Sequence, residues 1–183
     1  MQALTRIRAG VIVSREEVLA ARESRATRQA AALARFARPL VSMTVVMPGP
    51  VKDGVFPRRV LAEALREIHD LSRRRKWPML WQAVTARNTG PDAIYVFDVQ
   101  PQILKAATVE LEDRHPLGRL WDLDVIAPGP RILSRQEFGL PARRCLVCEK
   151  PASECGRSQR HPVGELLDVM QGIVNAYDRN LHT

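Results

Sequence analysis

The residues that most clearly suggest catalysis are two aspartates, Asp122 and Asp124, in an otherwise apolar stretch. Side chains two apart on a β-strand point to the same side, so a strand here would place both carboxylates on one face. Trp121, Leu123 and Val125 would then pack on the other face. Two close carboxylates repel each other, and both stay ionised when a cation lies between them. The spacing predicts a Mg²⁺ site of the kind that binds triphosphate oxygens, although solvent-facing Asp-x-Asp pairs are also common.

The residues just before this stretch offer further groups for such a site. Gly118 would permit close backbone approach, and Arg119 could contact a phosphate. His115 is a candidate base or phosphate ligand, or else a partly exposed structural histidine. A third carboxylate could come from the preceding helix end, which is otherwise a surface cluster: Glu110, Glu112 or Asp113.

All three cysteines of the chain lie in one short window that also holds a histidine. The set is Cys145, Cys148, Cys155 and His161, with the spacing C-x₂-C-x₆-C-x₅-H. This pattern favours a Cys₃His structural zinc site that would hold residues 140–162 to the rest of the domain. Reduced cysteines buried as small hydrophobic residues are the alternative, and a redox pair fits less well.

Basic residues form two further candidate anion sites in the amino-terminal half. Arg22, Arg25 and Arg28 recur every three residues on a predicted helix and share a face, which is either a solvated surface or a contact for phosphate or an acidic partner. Lys52 follows a predicted strand that ends at Pro48-Gly49-Pro50. A lysine in such a loop suits an anion site, without the spacing of a P-loop.

The elements that must position these groups follow from caps, periodicity and turn residues. Ser14 and Glu17 form a capping box that starts the first helix, which Pro39 closes. Apolar spacing predicts further helices from Pro57 to 76, over 101–115 and over about 163–177. Strands are predicted at 40–47, 81–86, 93–99, 119–126 and 131–134. This order indicates an α+β domain with a mixed or antiparallel sheet flanked by helices.

Length and composition bound the class of protein. The 183 residues suit a single domain over 1–183, and 45% apolar with 26% charged residues is an ordinary globular balance. No apolar run approaches the roughly 18 residues that cross a bilayer, so a cytoplasmic protein without a membrane partner is expected. The net charge of +8 suggests an anionic partner. Aromatic residues make up only 5%, which disfavours stacking of single-stranded nucleic acid.

Several long segments together resemble one known family. They are 22–29 (RESRATRQ), 40–46 (LVSMTVV), 48–53 (PGPVKD), 110–125 (ELEDRHPLGRLWDLDV), 132–135 (ILSR) and 140–148 (LPARRCLVC). In this order they are similar to the apo-citrate lyase phosphoribosyl-dephospho-CoA transferases, also called holo-citrate lyase synthases. The resemblance covers nearly the whole chain.

The resemblance implies a reaction and its partners. Members of the family transfer the phosphoribosyl-dephospho-CoA group from triphosphoribosyl-dephospho-CoA to a serine of the acyl carrier (gamma) subunit of citrate lyase, and pyrophosphate leaves. The chemistry is that of a nucleotidyltransferase, and a nucleotidyltransferase-like fold is expected. On this basis Asp122, Asp124 and Glu112 would be catalytic, with Mg²⁺ on the two aspartates. The expected donor contacts are Lys52, Gly118, Arg119, Arg135 and His115.

The resemblance also implies a surface that binds the carrier. Acyl carriers are usually acidic around the modified serine, so Arg22, Arg25 and Arg28 are predicted to bind the carrier.

Two alternative functions are considered. A related transferase acting on the malonate decarboxylase carrier would use the same chemistry. A zinc-containing nucleic-acid-binding module is the second alternative, with nucleic acid not expected as a partner because the Cys/His spacing does not match a DNA-reading finger.

Overall fold

A computed structural model describes residues 10–181, which form five helices and one five-stranded sheet. In chain order the elements are α1 (Arg15–Phe36), β1 (Leu40–Val45), α2 (Val55–Arg75), β2 (Met79–Thr85), β3 (Asp92–Phe97), α3 (Pro101–Arg114), β4 (Trp121–Ala127), β5 (Arg131–Ile132), α4 (Ala152–Arg157) and α5 (Val163–Leu181). None of these helices is both long and apolar enough to cross a membrane.

The sheet is antiparallel throughout, with the order β2-β3-β1-β4-β5. The predicted α+β class is therefore confirmed, and the antiparallel alternative is the correct one. β1 lies in the centre, as its nearly continuous apolar sequence indicates. Its register with β4 places Ser42 opposite Asp124 and Thr44 opposite Asp122.

The two faces of the sheet carry different side chains. One face packs against α2, α3 and α5 in the main core, where Trp121 is fully buried and its indole N–H donates to the Val60 carbonyl over 3.1 Å. The other face forms a smaller core with Ala32 and Leu33 of α1. Because β4 alternates, its aspartates belong to the face that α1 covers.

The helix α1 begins with the predicted capping box. The Ser14 N–H donates to a Glu17 carboxylate oxygen over 2.7 Å, and the Glu17 N–H donates to the Ser14 hydroxyl over 3.1 Å. Near its other end, Arg28 forms two hydrogen bonds with the Asp92 carboxylate and Gln29 donates to the Ser42 hydroxyl. These contacts fix the helix across β1 and β3.

Element bounds differ from the sequence predictions in three informative places. Residues 118–120 form a 3-10 turn, so β4 begins at Trp121 and not at 119. The turn fits because a Cβ on Gly118 would lie only 2.4 Å from the Leu111 carbonyl oxygen at the end of α3. β5 is only two residues long, and the segment 140–162, for which no helix or strand was predicted, contains the short helix α4.

Candidate functional site

The strand β4 presents Asp122 and Asp124 as the alternation predicts. The side chain of Asp122 is 52% exposed and Asp124 is partly buried, whereas Trp121, Leu123 and Val125 between and beside them are buried. The pair therefore leaves oxygen ligands available on the α1 face of the sheet.

Burial makes the charge of Asp124 unfavourable. Burial, together with the nearby Asp122 carboxylate, raises the pKa of this carboxyl to about 6, against the opposing effects of Lys105 and Arg25. A divalent cation between the two carboxylates would reverse this repulsion. The donor set and its charge fit Mg²⁺, which takes one or two carboxylates together with waters and substrate phosphates.

A basic pocket of about 270 Å³ lies beside Asp122, between α1 and the end of β1. Arg22 and Arg25 line it from α1, and Lys52 lines it from the loop after β1. Burial, together with the nearby Arg22, lowers the pKa of Lys52, whose ammonium donates to the Met47 carbonyl. Three cations around one small cavity next to a carboxylate pair form a site for a polyanion.

Arg28 does not share the pocket with the other two arginines. Its guanidinium is bound by Asp92 and by the Thr85 hydroxyl, and its side chain is three-quarters buried. A spacing of three residues drifts round a helix with 3.6 residues per turn, so the third arginine points to the sheet edge. The expectation that Arg22, Arg25 and Arg28 act as one face therefore applies to two of them.

Glu112 and Arg135 are paired with each other. Glu112 is buried, accepts a hydrogen bond from the Leu123 N–H over 2.8 Å and is bound by Arg135 over 2.6 Å. It caps the free edge of β4. Within residues 10–181, the cysteines and His161 bring three or more possible metal-ligand atoms close together. Asp122, Asp124 and Glu112 do not form such a group. Arg135 also pairs with Asp113.

His115 and Gly118 lie in structural positions. The His115 ring stacks on Trp121 with centroids 4.4 Å apart, and its Nδ1 accepts from the Leu117 N–H. Burial lowers the pKa of His115. Because Trp121 belongs to the main core, this imidazole is on the opposite face of the sheet from the aspartates. Gly118 packs against α3, as described above.

Arg119 and Arg143 join the start of β4 to residues 140–162, which we call the Cys/His segment. Arg119 donates to the carbonyl oxygens of Arg144 and Cys145, and Arg143 donates to those of Gly118, Arg119 and Trp121. Another Arg143 nitrogen is 3.7 Å from the Asp122 carboxylate. Sequence reasoning did not single out Arg143, because no local pattern shows that residue 143 folds back onto β4.

The four predicted zinc ligands converge. The ligand atoms of Cys145, Cys148, Cys155 and His161 all lie within 4.8 Å of one another. The Cys148 sulfur is 3.5 Å from the Cys155 sulfur and 3.4 Å from His161 Nε2. Tetrahedral zinc with Zn–S bonds of about 2.3 Å requires sulfur separations of roughly 3.7 Å. The cluster can therefore hold a tetrahedral metal ion.

The surroundings of the cluster suit metal binding. Burial opposes ionisation of the Cys145 thiol, but N–H groups of Val147 and Cys148 bond its sulfur, and the pKa of this thiol is lowered overall. Burial and the other two thiols raise the pKa of Cys155 to about 11. On the far side of the ring, His161 Nδ1 is 3.4 Å from the Glu165 carboxylate, which is the usual second partner of a metal-bound histidine.

A larger, mostly apolar cavity of about 650 Å³ separates this cluster from the end of β1. Its apolar wall includes Val46, Leu146 and Leu166. Three arginines, Arg119, Arg143 and Arg144, also line it, together with Cys145, Cys155 and His161 of the cluster. Val46 belongs to both cavities, so the apolar cavity adjoins the basic pocket.

Comparison with known proteins gives consistent results. A sequence model of the family described as apo-citrate lyase phosphoribosyl-dephospho-CoA transferase matches residues 13–177. A protein of that name from Citrobacter koseri is 43% identical over 166 residues, which is 91% of each chain. Proteins of the same name from Escherichia coli and Shigella boydii are 42% identical over 91% of each chain.

Proposed function

The chain belongs to the apo-citrate lyase phosphoribosyl-dephospho-CoA transferase family, and on that premise we propose that it transfers phosphoribosyl-dephospho-CoA to the citrate lyase acyl carrier. The donor is triphosphoribosyl-dephospho-CoA, and the acceptor is a serine of the carrier. The observation that carries the proposal is the carboxylate pair of β4 beside a pocket with three cations. This arrangement suits a triphosphate whose α-phosphorus is attacked.

The reaction is of the nucleotidyltransferase type. The serine oxygen forms a bond to the α-phosphorus, the bond from this phosphorus to the bridging oxygen breaks, and pyrophosphate leaves. The hydroxyl proton passes to solvent water. Because the charge is spread over phosphate oxygens, most of the catalysis is positioning and charge neutralisation.

The basic pocket supports a specific assignment for the phosphates. Arg22 and Arg25 bind the triphosphate from α1, and Lys52 binds it from the loop after β1. This revises the role expected for the two arginines from carrier docking to donor binding. The reason is their position, since both line a concave site next to Asp122. Guanidinium groups suit this task because they bind phosphate oxygens in pairs.

Asp122 and Asp124 would hold Mg²⁺ on the face covered by α1. When bound, Mg²⁺ neutralises charge on the triphosphate and on the departing pyrophosphate. Glu112 positions this pair by fixing the Leu123 N–H between the two aspartates. Arg135 holds Glu112 in turn, so on this proposal it acts through Glu112.

We assign a structural Zn²⁺ to Cys145, Cys148, Cys155 and His161, on the basis of the four converging ligand atoms. Four protein ligands leave no open coordination position, which is typical of structural and not catalytic zinc. The ion would hold the segment 140–162 against β4. Two contacts already join them: Arg119 donates to the Cys145 carbonyl, and Arg143 of the segment donates to the Trp121 carbonyl of β4.

The direct test is the mass of the apo carrier after incubation with donor, Mg²⁺ and this protein. We expect the carrier to gain the mass of phosphoribosyl-dephospho-CoA and pyrophosphate to appear in equal amount. Asp122→Asn and Asp124→Asn keep the shape but remove the charge, and should reduce the rate at least 100-fold. Asp98→Asn is the matched control, since Asp98 pairs with the exposed Arg38 away from the site. Near wild-type transfer by either site variant would refute the carboxylate assignment.

A further inference from the structure

The apolar cavity takes no part in the phosphate chemistry proposed above, yet its size and lining suit a ligand. Its volume of about 650 Å³ lies within the roughly 300–1,000 Å³ of small-molecule sites. Such sites combine mainly apolar walls with a few polar groups that fix orientation. Here the arginines are those groups, with Val46, Leu146 and Leu166 in the apolar wall.

The cavity is connected to the reacting centre through two residues. Val46 lines both the apolar cavity and the basic pocket. Arg143 lines the apolar cavity while one of its guanidinium nitrogens is 3.7 Å from the Asp122 carboxylate. A ligand that reacts beside Asp122 can therefore extend past Arg143 into the apolar cavity.

Each of the two cavities matches one part of the proposed donor in size and polarity. The basic pocket is small and has three cations, which match a triphosphate. The remainder of the donor is a nucleoside with a pyrophosphate and a pantetheine arm, which is larger and partly apolar. It needs apolar surface for the base and a few cations for the pyrophosphate, and Arg119, Arg143 and Arg144 can supply those cations.

We infer that the apolar cavity binds the dephospho-CoA portion of the donor, and that the Cys/His segment is the wall of this site. The inference rests on the proposed function, because that function supplies the ligand. Cys145, Cys155 and His161 line the cavity, so an ion bound by these residues would also set the position of its wall. The Cys/His segment thus has a part in substrate binding as well as in stability.

The test uses dephospho-CoA alone as the probe and titration calorimetry of the full, zinc-loaded chain as the measurement. Gly156 lines the apolar cavity, and a Cβ added to it would meet no atom within 4 Å. The Cβ of Gly156→Leu therefore has room, and the added side chain should occupy part of the site and raise the Kd at least tenfold. Gly172→Leu is the matched control, because Gly172 is also an exposed helical glycine with open space at its Cβ but lies outside the cavity.

A second variant keeps the test informative if Gly156→Leu does not fold. Val163 lines the cavity at the first turn of α5 and is 43% exposed. Val163→Asp is tolerable there because a helix amino terminus favours an acidic side chain, and it should weaken dephospho-CoA binding by repelling the pyrophosphate. Equal Kd values for folded wild-type, Gly156→Leu and Val163→Asp proteins would overturn the inference, as would no binding to wild type at millimolar probe. The carrier mass assay, which needs the full donor, tests the proposed function separately.

Discussion

At the scale of single residues, Asp124 is a carboxylate whose charge the folded chain disfavours. Its pKa of about 6 exceeds the value of 3.8 for a free aspartate. The folded state therefore holds the proton more tightly, and folding loses stability as the pH rises from about 4 to about 6. At pH 8 the loss in the free energy of unfolding is about 2 kcal/mol. This value follows from 1.36 kcal/mol per pKa unit, reduced because Asp124 is partly exposed.

The consequence is a stability difference with a defined pH window. Without Mg²⁺ at pH 8, we expect Asp124→Asn to melt higher than wild type by on the order of 5 °C. The difference should shrink as the pH falls from 6 to 4, because Asp124 is then protonated. Thermal melts followed by circular dichroism measure this. A melting difference that does not change with pH would show that the charge of Asp124 is not its cause.

The two arginines of the basic pocket distinguish donor binding from carrier docking. Arg22→Ala and Arg25→Ala should each raise the KM for the donor about tenfold and leave the KM for the carrier within twofold. Steady-state kinetics with each substrate varied in turn measures both. Arg15→Ala, on the first turn of the same helix and outside the pocket, is the control. A change confined to the carrier KM would restore the docking role first expected for this face.

Residue positions could be predicted where a local pattern fixes them. The alternation of β4 placed Asp122 and Asp124 on one face, and the Cys/His spacing grouped the four candidate metal ligands. Glu112 and Arg135 could not be placed, because their pairing joins residues 23 positions apart through the tertiary fold. His115 was placed in the site by its proximity in sequence to Asp122, but proximity does not show which face of the sheet a turn packs on.

At the scale of elements, the segment 140–162 contributes little to the apolar core, so we expect its fold to depend on the proposed metal ion. Of the segment's residues, Cys145 and Cys155 are the buried hydrophobic ones. We expect about one equivalent of zinc in protein purified without chelator, and less than 0.3 equivalents in Cys148→Ser. Loss of the ion should lower the melting temperature and expose the segment to proteolysis. Full zinc retention by Cys148→Ser would contradict the assignment.

The elements themselves were predicted best where caps and periodicity agree. The Ser14 capping box and the apolar face of α5 gave elements close to those observed, and the central place of β1 followed from its apolar run. The strand expected at 131–134 is shorter because regular pairing with β4 covers Arg131 and Ile132. The Leu133 N–H still donates to the Val125 carbonyl, but the Ser134 N–H donates to the Glu137 carboxylate instead of to β4. The helix α4 has six residues and lies within the Cys/His segment, so periodicity had too little sequence to detect it.

At the scale of the whole molecule, we propose that the sheet and the Cys/His segment form one domain. The arginine contacts from Arg119 and Arg143 cross between them. The zinc-loaded chain should therefore unfold in a single transition, with coincident curves from tryptophan fluorescence and from circular dichroism. Trp121 in the main core reports on the sheet. A separate early transition accompanied by zinc release would show that the segment unfolds on its own.

The helix α1 is attached to the rest of the domain near both of its ends. At one end, the buried Val13 is bonded to the Pro50 carbonyl, and at the other, Ala32 and Leu33 are set into the sheet. The arginines of the basic pocket lie between these two attachments. The number of residues between the attachments therefore matters, because one inserted residue rotates all later side chains of the helix by about 100° about its axis. This helix should tolerate many changes of side chain on its outer surface, and almost no change of length.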